Sequence, residues 1–194
     1  MTDGAMLARD LRRIVGADAV ITDPTELATY DCDAYTIEKA LPTVVVLPQT
    51  TEQVVQVVRY AAQVGLPIVP RGAGTGLSGG ALAVNGGIVL ATTRMTRILW
   101  VDTRNRRLRA QAGAVNIQLT KAAQHAGLHF APDPSSQGAC TIGGNVAENS
   151  GGPHTLKYGV TVNHVTGLQV VLPDGEVLEL GGVEDEPFGY DWVG

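Results

Sequence analysis

The chain has 194 residues, 44% apolar and 17% charged, which is enough to build a folded core and places it outside the disordered class. Its net charge of -5 disfavours a polyanion-binding surface, so no nucleic acid is expected as a partner. Glycine is the outlier at 24 positions, about 12% against an average near 7%, and its clustering requires a local explanation.

The opening Met1-Thr2-Asp3-Gly4 lacks the basic-then-apolar order of a signal peptide, and no apolar run approaches the roughly 18 residues of a membrane span. The expectation is a soluble, cytoplasmic protein that is not integral to a membrane. Cys32 and Cys140 stand far apart without metal-ligand spacing, which fits a reducing compartment and no bound metal. Leu7, Leu11, Ile14 and Val15 recur at helical spacing, so residues 1–40 read as an N-terminal helix and an arm. Thr43-Val44-Val45-Val46-Leu47 is an unbroken, largely β-branched run stopped by Pro48, the pattern of a strand covered on both faces. Thr50 and Gln53 then have capping-box spacing. Val54, Val55, Val57, Val58, Ala61 and Ala62 form a broad apolar face, and Gly65 sits where a helix ends. Leu66-Pro67-Ile68-Val69 is a second strand, and this strand-helix-strand unit is expected to close as a right-handed parallel crossover.

The second half looks like a repeat of that plan. Residues 108–112 read as a strand, Asn116 as the cap of a helix to residue 126, and Gly127 as its stop before a short strand Leu128-His129-Phe130. Each unit then ends in a short strand, a proline and a loop of small polar residues, and the two loops are expected to face one ligand. The basic run from Arg104 to Arg109 reads as a solvated turn and strand. Residues 162–172 and 177–180, around Pro173-Asp174-Gly175-Glu176, read as a hairpin.

Gly74-Thr75-Gly76-Leu77-Ser78-Gly79 matches the G-x-G-x-x-G dinucleotide fingerprint, whose physics needs a strand before it and a helix after it. Residues 81–90 instead carry the pair Gly86-Gly87 and β-branched side chains. Arg94 and Arg97 stand where an acidic ribose ligand would belong, which disfavours a nicotinamide-binding Rossmann site. The loop's own physics remains: successive glycines let peptide N–H groups converge on an anion with no Cβ in the way. Each hydrogen bond to a charged oxygen contributes about 1.5–3 kcal/mol, so a few of them hold a pyrophosphate firmly, and Thr75 and Ser78 add hydroxyl donors. The alternative is a glycine-rich surface turn without a ligand, which would leave the entropy of ordering these glycines uncompensated.

A second cluster, Thr141-Ile142-Gly143-Gly144-Asn145-Val146-Ala147-Glu148-Asn149-Ser150-Gly151-Gly152-Pro153-His154, brackets two side-chain amides with glycine pairs. Its donors and acceptors suit the polar rim of a flat heteroaromatic ring, and a loop packed tightly on a sheet is the alternative. His154 reads either as close to that ring or as a loop hydrogen-bonding group. His125 and His164 read as structural or exposed, His129 as core or rim, and Cys140 as a small packing residue.

Four motifs in this order resemble the FAD-linked oxidases of the vanillyl-alcohol oxidase/p-cresol methylhydroxylase (PCMH) type: Pro70-Arg71-Gly72-Ala73-Gly74-Thr75-Gly76-Leu77-Ser78-Gly79-Gly80, Pro132-Asp133-Pro134-Ser135-Ser136, the segment 140–154, and Lys157-Tyr158-Gly159. Within that type the chain is most similar to glycolate oxidase flavoprotein subunits and FAD-dependent D-lactate and D-2-hydroxyacid dehydrogenases, over residues 43–180. The resemblance implies an α+β fold, a PCMH-type FAD-binding domain made of two α/β subdomains, 41–98 and 99–194, with the FAD between them. It implies that Pro70, Arg71, Gly72, Ala73, Gly74, Thr75, Gly76, Leu77, Ser78 and Gly79 wrap the pyrophosphate. Pro132, Asp133, Pro134, Ser135, Thr141, Gly143, Gly144 and Asn145 would line the flavin side. Asn149, Gly151 and Gly152 would complete the pocket, with Gly159 beside it and Val165 toward the adenine end. Some members tether the flavin through a histidine in the first loop; Thr75 occupies that region here, so the FAD is expected to be bound non-covalently.

The resemblance also implies an oxidoreductase in which a small 2-hydroxy acid gives its C2 hydride to the flavin and the electrons leave to a separate acceptor. Members of the family continue into a cap domain that supplies basic residues, histidines and sometimes a metal. No counterpart of that apparatus precedes Gly194, so no catalytic residue and no metal ligand is assigned. The expectation is the FAD-binding portion alone, a fragment or a natural short form, needing a partner chain or an oligomer for its substrate lobe. The alternative is a non-catalytic FAD-binding module.

Overall fold

The computed structural model describes residues 4–182, which fall into two compact units: the first holds the chain as far as Met95 together with Pro173–Glu176, the second holds Thr96–Leu172 and the chain from Val177. Residues 1–3 and 183–194, the outer ends of the expected arm and second subdomain, lie outside the described residues.

In the first unit, helix α1 (Gly4–Val15) forms as its spacing predicts and buries Leu7, Ala8, Leu11 and Val15. The arm beyond it is more ordered than its sequence suggested. It contains the two-residue strand β1 (Val20–Ile21) and the single-turn helix α2 (Pro24–Leu27), whose first N–H groups are satisfied by the Asp23 carboxylate. Strand β2 (Val44–Val46) is fully buried, as an apolar run without alternation requires. Thr50 Oγ1 accepts the Gln53 N–H to start helix α3 (Thr51–Val64), while Gln53 Oε1 accepts from the N–H of Gln49, one residue earlier than in a standard capping box. Gly65, at φ 68°, closes the helix.

Strands β3 (Ile68–Arg71) and β4 (Ile88–Ala91) complete a four-stranded sheet of order β1-β2-β4-β3. The strand-helix-strand unit therefore does not pair its own two strands: β4 runs parallel between them, with Val45 opposite Val89 and Val69 opposite Val89 on the other side. The reason is local chemistry. All of β4 is buried and can be laddered on both flanks, whereas β3 carries Pro70, which has no N–H to donate and belongs at an edge. Leu11, Val57 and Ala61 from the helices pack on Val44, Val45, Val46, Ile88 and Val89, and each buried aliphatic side chain of Val, Leu or Ile size contributes roughly 1.5–3 kcal/mol.

In the second unit, β5 (Ile98–Asp102) and β6 (Arg107–Ala110) form an antiparallel hairpin. The Asp102 carboxylate accepts the N–H groups of Arg104 and Asn105, and the basic run is an exposed turn leading into a partly exposed strand. Helix α4 (Asn116–Ala123) continues into a 3-10 turn at Gln124–Ala126 ended by Gly127. Two short helices follow, α5 (Ile142–Ala147) and α6 (Thr155–Tyr158), and then the expected hairpin of β7 (Gly167–Val171) with β8 (Val177–Gly181).

Three expectations are corrected here. Leu128-His129-Phe130 is not a strand, and the second half is not a copy of the first: β5 pairs with β6 and β7 with β8, while the Phe130 N–H donates to Thr120 Oγ1 instead of a ladder. Asn116 does not cap α4. Val115 holds the cap position, and the buried Asn116 amide donates to the Pro132 carbonyl at 3.1 Å. The start of the second glycine cluster is a helix, not a loop, and its first N–H groups, of Ile142 and Gly143, are taken by the carbonyls of Ala114 and Ala112, each at 2.8 Å. Among the described residues no helix is long and apolar enough to cross a membrane.

Candidate functional site

Pro70 and Arg71 end β3, and the chain from Gly72 to Gly80 leaves the sheet edge as an irregular loop with no helix behind it. That missing helix removes the Rossmann arrangement, as the sequence suggested. Ala73, Leu77 and Ser78 are exposed, while Gly72, Gly74, Thr75, Gly76 and Gly79 are half-buried. Gly74 has φ 71°, and a Cβ there would collide with the Arg71 guanidinium. The guanidinium itself is buried: Nη1 donates to the Cys32 carbonyl at 2.8 Å, and the group sits 5.4 Å from the Tyr30 ring centroid. Arg71 therefore underlies the loop.

In the second unit, the N-terminus of α4 grips the segment 132–140. Asn116 holds the Pro132 carbonyl, and the N–H groups of Asn116 and Ile117 donate to the carbonyls of Cys140 and Gln137. The Pro132–Ser135 and Asn149–Gly152 stretches come together, with Gly152 so near the Asp133 backbone that no side chain would fit between them. Gly143 and Gly144 lie in α5, Gly159 ends α6, and Val165 follows a 3-10 turn before β7. The Asn149 Oδ1 is engaged by the Val162 N–H at 3.0 Å.

Thr141 and Asn145, one α-helical turn apart, are each 3% exposed. Their Thr141 Oγ1 and Asn145 Nδ2 atoms have no hydrogen-bond partner among the described residues. Buried polar atoms are almost always satisfied, so an orphan donor beside an orphan hydroxyl marks a place for a polar group from elsewhere. An FAD ring edge offers carbonyl acceptors for the Asn145 amide N–H and both an acceptor and an N–H donor for the Thr141 hydroxyl. The residues present thus fit the cofactor.

His154 makes a loop hydrogen bond: its Nδ1 lies 2.5 Å from Asp133 Oδ2. His129 and His154 flank the Tyr158 ring, and His164 Nε2 meets the Tyr158 carbonyl at 2.9 Å. Hydrogen bonding from His154 holds the Asp133 carboxyl below its ordinary range, with desolvation opposing. A depressed carboxyl stabilises the fold fully above its unfolded pKa of about 4 and loses that contribution as pH falls through the folded value. Thermal melts of His154→Leu should therefore lie below those of the original chain above about pH 4 and converge with them in stronger acid. A gap independent of pH would contradict this.

Sequence reasoning missed the arm. Asp33 is 6% exposed, and its Oδ2 stands 3.7 Å from where a Cβ on Gly76 would be; the Tyr35 ring stands equally near that position on Gly79. The only prior signal was the polarity of an Asp31-Cys32-Asp33 run in a segment read as loop.

The pattern of a family described as FAD binding domain matches residues 42–181. The glycolate oxidase subunit GlcD of Escherichia coli (strain K12) is 43% identical over 178 residues, 92% of this chain and 36% of that protein. A D-lactate dehydrogenase of Anaerostipes hadrus is 39% identical over 92% of this chain and 37% of its own length. Of solved structures, an alkyldihydroxyacetonephosphate synthase superposes with a TM-score of 0.81 at 27% identity, covering 92% of this chain and 34% of that one. The chain thus spans about a third of the length of these relatives.

Proposed function

Because the chain belongs to the FAD binding domain family, we propose that it is the FAD-binding part of a flavin-dependent oxidoreductase that oxidises a small 2-hydroxy acid of the glycolate or D-lactate type. Its α+β architecture is that of PCMH-type FAD-binding domains. The observation that carries the cofactor reading is the orphaned pair Thr141 Oγ1 and Asn145 Nδ2. In this reading residues 41–98 and 99–194 are the two subdomains. The loop from Pro70 to Gly79 binds the pyrophosphate through its N–H groups; Pro132 to Ser135, Thr141, Gly143, Gly144 and Asn145 orient the flavin; Asn149, Gly151, Gly152, Gly159 and Val165 complete the enclosure. Bound FAD would supply the hydride acceptor. The chain's own residues hold it, exclude water from its ring edge and tune its hydrogen bonding. The link is non-covalent, with Thr75 where a tethering histidine would be needed. The electrons pass to a separate acceptor, the compartment is the cytoplasm, and the substrate lobe comes from chain beyond these residues or from a partner.

The 2-hydroxy acid enters through the relatives, glycolate oxidase subunit and D-lactate dehydrogenase, and is tested by anaerobic titration with each acid of the protein together with the further chain or partner that supplies its substrate lobe. Bleaching of the flavin band by either acid supports the reading; no bleaching by any 2-hydroxy acid favours a binding module without catalysis. FAD at about 100 times its Kd should raise stability by about 2.7 kcal/mol, read as an upward shift in Tm. A Tm indifferent to FAD would count against the cofactor itself. Acid precipitation should release the yellow colour into the supernatant, and colour retained in the pellet would overturn the non-covalent link.

A further inference from the structure

The arm between α2 and β2 precedes the matched family region, yet it forms the backing of the glycine loop. It is closed on itself. The Asp31 carbonyl accepts the Ala40 N–H at 2.7 Å, and the Asp31 carboxylate accepts from Lys39 Nζ at 2.9 Å, so residues 31–40 make a tied loop. One side of this loop faces the glycine loop through three successive contacts. The Cys32 carbonyl takes the Arg71 guanidinium that underlies Gly74, the Asp33 carboxylate lies against Gly76, and the Tyr35 ring lies against Gly79.

Asp33 is the residue on which this geometry turns. A carboxylate at 6% exposure is costly to bury, and this one makes no ion pair within the described residues. Its Oδ1 accepts the Tyr35 N–H at 2.8 Å, which bends the arm between the Cys32 carbonyl and the Tyr35 ring. We propose that Asp33 is a positioning residue for the pyrophosphate-binding loop: by fixing the turn at residues 33–35 it sets the arm against Arg71, Gly76 and Gly79 and so holds the loop's N–H groups in a binding geometry. It acts through the arm and touches no reacting atom. The part of this inference that concerns the cofactor rests on the FAD reading above; the ordering of the loop does not.

The test uses the 194-residue chain with Asp33→Ala and Asp33→Asn, the second keeping an oxygen acceptor for the Tyr35 N–H. Hydrogen exchange is followed without cofactor at residues 72–80 and, as an internal reference, at β4. Asp33→Ala should speed exchange in the loop by about tenfold with β4 unchanged, and Asp33→Asn should return it to within about threefold of the original chain. In parallel, Asp33→Ala should weaken FAD and ADP by a common factor of about ten, since both carry the pyrophosphate. Loop exchange unchanged in Asp33→Ala, or accelerated equally in β4, overturns the proposal, as does an FAD affinity that falls while that of ADP does not. Failure of the original chain to bind FAD would instead remove the cofactor reading, and the exchange data would still decide the role of Asp33.

Discussion

Gly74→Ala is expected to weaken FAD binding by at least about tenfold, equivalent to about 1.4 kcal/mol. Two costs add at this position. The backbone at φ 71° lies in the left-handed region, where an L side chain costs roughly 1–2 kcal/mol. The new Cβ would also run into the Arg71 guanidinium, and although an arginine tip is ordinarily free to move, this one is buried and tied to the Cys32 carbonyl. The loop must therefore shift or break that hydrogen bond, and either outcome moves the N–H groups that would meet the phosphates. Titration followed by flavin fluorescence reads the affinity directly. An affinity equal to that of the original chain would show that the loop from Gly72 to Gly80 does not hold the cofactor.

Asn145→Leu is expected to act with opposite signs on the free and the loaded protein. The Asn145 Nδ2 is buried without a partner, a penalty of about 1–3 kcal/mol, and leucine fills a similar volume with no polar atom to satisfy. Free protein should gain on the order of 1 kcal/mol, a rise in Tm of roughly 2–4 °C for a chain of this size. FAD should bind about tenfold more weakly, because the amide that would engage the ring edge is gone. Melts with and without FAD separate the two effects. A variant that loses stability without FAD and keeps its affinity would mean that the orphaned pair is not a cofactor contact.

These two residues also mark how far the sequence could be read. Gly74 was identifiable because runs of glycine have few physical uses, and the same holds for the capped helix from Thr50 to Gly65 and the buried strand at Val44–Val46, where propensity, capping and apolar pattern agree within about fifteen residues. Asn145 was flagged for its amide, but its burial was not visible, since it depends on α5 seating Gly143 against Ala112, some thirty positions away along the chain.

The departures share one cause. Strand order depends on which strands compete for the same ladder, so the insertion of β4 between β2 and β3 could not be read from the strand-helix-strand unit itself. Leu128-His129-Phe130 has strand-like residues, but its Phe130 N–H is taken by Thr120 Oγ1, and the Asn116 side chain donates to the Pro132 carbonyl instead of capping α4. Asp33 stands in a short polar run that says nothing of its burial; its importance comes from its place against Gly76, more than forty residues along the chain. Short-range chemistry was therefore enough to single out the glycine loop, the ends of α3 and the family. The residues that brace the loop, and the two buried atoms left without partners, follow from long-range packing, where burial and competition for hydrogen bonds are settled between segments that the linear order keeps apart.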